Sequence, residues 1–118
     1  MAIKTDKAAK PVGAYVHAKE AGDLVFLSGV GPRHPDTDKI PEGIEAQTHA
    51  TFSNVIAILE AANLDMSNVV DIMVFLTDMK NDFKIFNNIY SDKIFYFLEK
   101  NYLFKKFSTK FADNGFIE

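Results

Sequence analysis

The hydrophobic pattern changes period along this chain, and that change limits the folds open to it. Asp23-Leu24-Val25-Phe26-Leu27-Ser28-Gly29 is a short apolar run rich in strand formers and closed by glycine. Tyr15 to Lys19, bounded by Gly13 and Gly22, reads as its partner strand. Ala21-Gly22-Asp23 supplies the turn between them, so the pair is expected to form a hairpin. From Ile44 to Asn63 the period becomes helical. Phe52, Val55, Ile56 and Leu59 fall at i, i+3, i+4 and i+7, with Glu45, Gln47, Asn54 and Glu60 on the other sides and Asn63 as the stop. Gly31 to Gly43 carries Pro32, Pro35 and Pro41 with Asp36 and Asp38, which predicts a loop.

The second half repeats the alternation. Val69 to Leu76 is apolar except for Asp71 and too short for a typical helix, so it reads as a buried central strand. Asp82 is placed to cap a second helix from about Phe83, with Phe83, Phe86, Asn87, Tyr90 and Ile94 on one side. Phe107 to Asp113 partly alternates and reads as a last strand. The order strand, strand, helix, strand, helix, strand is solved economically by an α+β architecture with both helices on one face of the sheet. A single domain over residues 1–118 is expected, since this length builds one core comfortably.

Composition removes several classes of function. Without cysteine, disulfides, thiolate catalysis and thiolate metal sites are excluded. A net charge of -3 gives no general field to draw in nucleic acid or an anionic membrane. Met1 to Lys10 has no apolar core like that of a signal peptide, and no apolar run approaches the roughly 20 residues of a membrane span. The expected compartment is the cytoplasm. His17, His34 and His49 have no close ligand spacing, so no metal is expected, and Gly29 to Gly31 lacks the Lys-Ser or Lys-Thr of a phosphate loop. Aromatic residues interleave with Lys100, Lys105, Lys106 and Lys110, as on single-strand nucleic-acid platforms, but core and rim positions explain them better in an acidic chain. Among the 13 basic residues Arg33 is the one arginine, and two-pronged recognition of a carboxylate is an arginine speciality.

Gly13-Ala14-Tyr15, Leu27-Ser28-Gly29, Thr51 to Leu59, Val70 to Thr77 and Phe83 to Tyr90, in that order, resemble the RidA (YjgF-like) family from about Pro11 to Phe95. Ser28-Gly29-Val30-Gly31-Pro32-Arg33-His34-Pro35, followed by Ile44-Glu45-Ala46-Gln47, is most similar to its 2-aminomuconate deaminase branch. The resemblance implies a chorismate-mutase-like mixed sheet and a homotrimer with clefts between subunits. It also implies cofactor-free hydrolysis of small 2-imino or 2-enamino carboxylates to 2-keto acids and ammonium. Tyr15, Ser28, Gly29 and Asn87 then match positions that line or support the cleft, and Glu118 matches the acidic residue that positions or activates water. The family arginine that clamps the carboxylate, normally in Pro-x-Arg, corresponds to Lys106 after Phe104-Lys105, which implies a divergent or truncated C-terminus. Arg33 is the second cation available for that carboxylate or for the distal one of a dicarboxylate. Two other readings are a catalytically weak carboxylate-binding trimer and an RNA-directed or protein-protective role.

Overall fold

The structure, a computed structural model, describes residues 1–98, with side chains through Lys93. Its contacts group into two units, one over Met1–Leu64 and one starting at Asp65.

The first unit is a three-stranded antiparallel sheet and a helix. β1 (Ala2–Ile3), β2 (Ala18–Ala21) and β3 (Leu24–Leu27) lie side by side in chain order. The expected hairpin is present. Ala21 faces Leu24 across a two-residue turn, with Gly22 at φ +62, a left-handed conformation that glycine adopts without penalty. The first strand of the hairpin is shifted, however: β2 starts at Ala18, beyond Tyr15. β1 was not anticipated, because two residues carry no readable period. It pairs Ala2 with Lys19 and Ile3 with Ala18.

α1 (Ile44–Ala61) matches the expected helix. It ends in a Schellman motif: the Leu64 N–H donates to Leu59 O at 2.8 Å and the Asn63 N–H to Glu60 O at 3.0 Å, with Asn63 at φ +59. The core joins Ile3, Ala8, Ala18 and Ile58, with Val25, Leu27, Val30, Ala57 and Ala62 packed around them. Val25 and Leu27 thus face the core, and strand alternation turns Leu24 and Phe26 to the opposite face, where they are 48% and 59% exposed. Residues 31–43 form the expected loop.

The helical stripe read from the sequence needs a correction. Phe52 and Leu59 are buried, but Ile56 is exposed, and Asn54, assigned to a polar side, is only 3% exposed. α1 is buried along a second line through Asn54 and Ile58, whose periodicity the polar Asn54 concealed.

In the second unit Asp65 caps a short 3-10 turn, Met66–Asn68: its side chain accepts from the Ser67 N–H at 2.8 Å, and Asn68 Oδ1 accepts from the Asp65 N–H at 3.0 Å. Val69 to Leu76 forms no ladder among the described residues, against the expected buried strand. Val70, Met73 and Phe75 are exposed, while Ile72, Val74 and Leu76 are half-buried. An apolar run reports a tendency to be covered, whereas a ladder also requires a partner for its backbone. α2 (Met79–Leu98) begins a turn earlier than expected. Its cap is Asp78, which accepts from the Asn81 N–H at 3.3 Å, and Asp82 lies inside the first turn. Phe86 and Tyr90 are buried one turn apart, ring centroids 5.6 Å apart. The strand expected over Phe107 to Asp113 lies outside the described residues.

Asp78→Ala removes the α2 cap and is expected to cost about 1 kcal/mol, with faster amide exchange at Asn81. Asp82→Ala should leave that amide protected. Denaturant unfolding and hydrogen exchange check both.

Candidate functional site

A recess opens in the first unit where the chain before β2, the end of β3 and α1 converge. Tyr15, Ser28, Gly29 and Arg33 line it together with Lys10 and the buried His17 and Asn54. Its volume is about 40 Å3, room for a few water molecules.

Two buried polar side chains build its walls. Asn54 Nδ2 donates to Gly31 O at 2.9 Å and to Arg33 O at 2.8 Å, and its Oδ1 accepts from the Ala9 N–H at 3.1 Å. One amide thereby ties the loop after β3 and the N-terminal segment to α1. His17 does the same from the sheet side. Its Nδ1 accepts from the Thr5 N–H at 3.3 Å while Nε2 donates to Ala9 O at 2.8 Å, an assignment that the neutral Nε2–H tautomer satisfies completely. Both ring nitrogens are therefore committed to backbone. His34 Nδ1 likewise accepts from the Asp36 and Thr37 N–H groups. No cluster of three or more metal-ligating side chains occurs among the described residues.

The Ser28 hydroxyl donates to Val16 O at 2.7 Å. Its proton is committed, and its oxygen keeps lone pairs to accept from a ligand. Gly29 and Gly31 have open space where a side chain would stand, so a small molecule can approach the backbone there. Tyr15 is 44% exposed and folds back over Gly13, where an added Cβ would meet the ring at 3.1 Å; glycine is what lets the ring lie there. Arg33 Nη1 donates to Asp38 Oδ1 at 2.6 Å and Nη2 to Lys10 O, leaving the side chain 23% exposed.

The structure thus brings together four of the site residues expected from the sequence, Tyr15, Ser28, Gly29 and Arg33. Asn87 belongs to the second unit, half-buried on α2 beside Phe86. Lys106 and Glu118 lie outside the described residues. Sequence reasoning missed Asn54 and the bracing role of His17. The available signal was the second stripe of α1, with Ala57, Ile58 and Ala62 three, four and eight residues after Asn54. No helix among the described residues is long and apolar enough to cross a membrane.

Asn54→Ala would strip partners from two carbonyls and one N–H at once. A loss of about 2–4 kcal/mol in unfolding free energy is expected, measured by urea denaturation; a loss below about 0.5 kcal/mol would show that the bracket is dispensable.

Comparison with known proteins gives the chain a family. The sequence profile of the Endoribonuclease L-PSP family matches residues 5–97. A RutC family protein of Aquifex aeolicus is 44% identical over 90 residues, covering 76% of this chain and 71% of that protein. TdcF of Escherichia coli K12, named as a reactive intermediate deaminase, is 38% identical over 88 residues, covering 75% and 67%. The crystal structure of E. coli TdcF with bound serine superposes with a TM-score of 0.77 at 34% identity, over 81% of this chain and 75% of that one. RidA of an Antarctic Psychrobacter gives 0.74 at 38% identity, over 78% and 74%. An α+β unit with a β2–β3 hairpin, a glycine-lined recess beside it and these matches along most of its length establish that the chain belongs to the Endoribonuclease L-PSP family, the RidA/YjgF/RutC group.

Proposed function

We propose that the protein hydrolyses small 2-imino or 2-enamino carboxylates, of the 2-aminoacrylate or 2-aminomuconate kind, to 2-keto acids and ammonium. The observation that carries this reading is the placement of Arg33, Ser28, Tyr15 and the open backbone of Gly29 around one recess in a relative of a protein named as a reactive intermediate deaminase.

The reaction asks little of a protein, because a protonated imine is already electrophilic. The site must seat the carboxylate, admit one water and move protons. Arg33 offers the carboxylate a guanidinium at the recess, and Lys106 stands at the position that the resemblance gives to the family's clamping arginine. Gly29 leaves room for the ligand to lie against the backbone there. Ser28 accepts from the imine N–H and Tyr15 closes the side, while the resemblance gives Asn87 a supporting part in the family's cleft. Glu118 takes a proton from water as its oxygen bonds to the imine carbon. Glu118 then returns that proton to the nitrogen of the resulting amino alcohol, the C–N bond breaks as the hydroxyl oxygen forms the C=O bond, and the departing ammonia takes up the hydroxyl proton, leaving keto acid and ammonium. None of these steps calls for a cofactor.

A homotrimer is part of the proposal. A recess of about 40 Å3 is far smaller than ligand sites, which run to about 300–1,000 Å3, so a subunit interface would supply the missing wall. The exposed Leu24 and Phe26 on the outer face of β3 give closed association a surface to bury. An RNA-directed role has the family's endoribonuclease name in its favour and the net charge of -3 against it.

Two measurements test the proposal. Ammonium release from 2-aminoacrylate or 2-aminomuconate generated in situ should occur with the wild-type protein, and Arg33→Ala should lower kcat/KM about tenfold or more, the effect of losing a charge-assisted hydrogen bond. Turnover unchanged by Arg33→Ala would remove Arg33 from the site, and salt-sensitive RNA binding without ammonium release would favour the nucleic-acid reading. Sedimentation should show a trimer that Phe26→Asp dissociates; a monomeric wild type at micromolar concentration would contradict the assembly.

A further inference from the structure

The loop after the recess is a closed turn built around His34. The His34 N–H donates to Lys39 O at 2.9 Å, the Asp38 N–H returns to His34 O at 3.0 Å, and His34 Nδ1 accepts from the N–H groups of Asp36 and Thr37. These bonds hold Asp38 in the left-handed region at φ +59, which glycine adopts without penalty and which asparagine and aspartate tolerate better than other side chains. Glycine fits that backbone at least as well, so what aspartate adds there is the use of its carboxylate. That use is visible: Oδ1 lies 2.6 Å from Arg33 Nη1. With Nη2 on Lys10 O, the guanidinium is fixed at the edge of the recess by a carboxylate and a carbonyl that are both its own protein's.

We propose that Asp38 is a positioning residue that holds Arg33 at the recess and competes with a ligand's second carboxylate for it, so that the protein favours small monocarboxylate imines over dicarboxylate ones. This rests on the reading that the recess takes carboxylates. The physical reason is charge balance. Arg33 paired with Asp38 offers a distal carboxylate an orienting dipole but little net attraction, and a second negative group must displace Asp38 or lie beside it. Asp38 is 68% exposed, so displacement is possible and its cost is small, as for other solvent-exposed pairs. The selectivity is therefore modest, about fivefold. A monocarboxylate seated on Arg33 brings one negative charge beside Asp38 and a dicarboxylate brings two, so the dicarboxylate is opposed more strongly.

Calorimetric titration of the full chain tests this, using 2-oxobutyrate as monocarboxylate, 2-oxoglutarate as dicarboxylate and inorganic sulfate as a dianion without a keto group. Asp38→Asn and Asp38→Gly both remove the charge, but only the glycine relieves the left-handed backbone. Both variants should bind 2-oxoglutarate about fivefold more tightly than wild type, with 2-oxobutyrate changed less than twofold. Arg33→Gln added to Asp38→Asn should erase the gain. A merely structural role would separate the two variants and move both keto acids together, and that result, or weaker 2-oxoglutarate binding in both, overturns the proposal. If neither keto acid binds any form, the deaminase reading fails and sulfate decides on Asp38: tighter sulfate binding in both variants, lost with Arg33→Gln, supports the competition, and equal binding overturns it.

Discussion

One buried amide determines whether the recess exists. Asn54 joins three stretches of chain that share no ladder: the segment around Ala9, the loop at Gly31 and Arg33, and α1 itself. A buried polar side chain is tolerated only when its donors and acceptors are used, and here all the assigned partners are backbone groups in irregular segments that would otherwise need water. His17 complements it by taking the Thr5 N–H and offering a proton to Ala9 O. Ala9 is the shared node, its N–H held by Asn54 and its carbonyl by His17. The apolar contacts of Ile3, Ala8, Ala18 and Ile58 supply the driving force for packing, and the two polar brackets fix where the loops lie on it.

That division of labour explains what could be read from the sequence. The β2–β3 hairpin and α1 were legible because their signals are local: a glycine at a turn, a helical period, an asparagine that stops the helix in the left-handed conformation. The start of α2 was misread by one turn because both Asp78 and Asp82 precede apolar residues, and only the backbone shows which of them accepts from the Asn81 N–H. Val69 to Leu76 has the composition of a strand, and composition is silent about who pairs with it. Asn54 was placed off the apolar stripe because polar residues on a helix are mostly exposed; burial by three backbone partners is a tertiary property. Among the site residues, Tyr15, Ser28 and Gly29 were placed by family resemblance and Arg33 by being the one arginine of the chain, and the structure gathers them around the recess. No local pattern could have shown that Arg33 is already paired, since its partner is held by a turn closed through His34.

Within the first unit the recess combines fixed and open elements. Ser28 and Arg33 are pinned by Val16 O and by Asp38 with Lys10 O, so their orientation is set before any ligand arrives, which lowers the cost of ordering on binding. Gly29 and Gly31 leave the backbone accessible. Among the described residues the first unit thus presents a preorganised edge rather than an enclosed pocket, and under the proposed trimer a wall from another subunit would complete it.

The most direct test of this account is a backbone-amide NMR titration of the assembled wild-type protein with 2-oxobutyrate. The account predicts saturable shifts concentrated at Ser28, Gly29, Val30, Gly31 and Arg33, abolished in Arg33→Ala with its fold retained. Shifts scattered over the surface, or none at millimolar ligand, would contradict it.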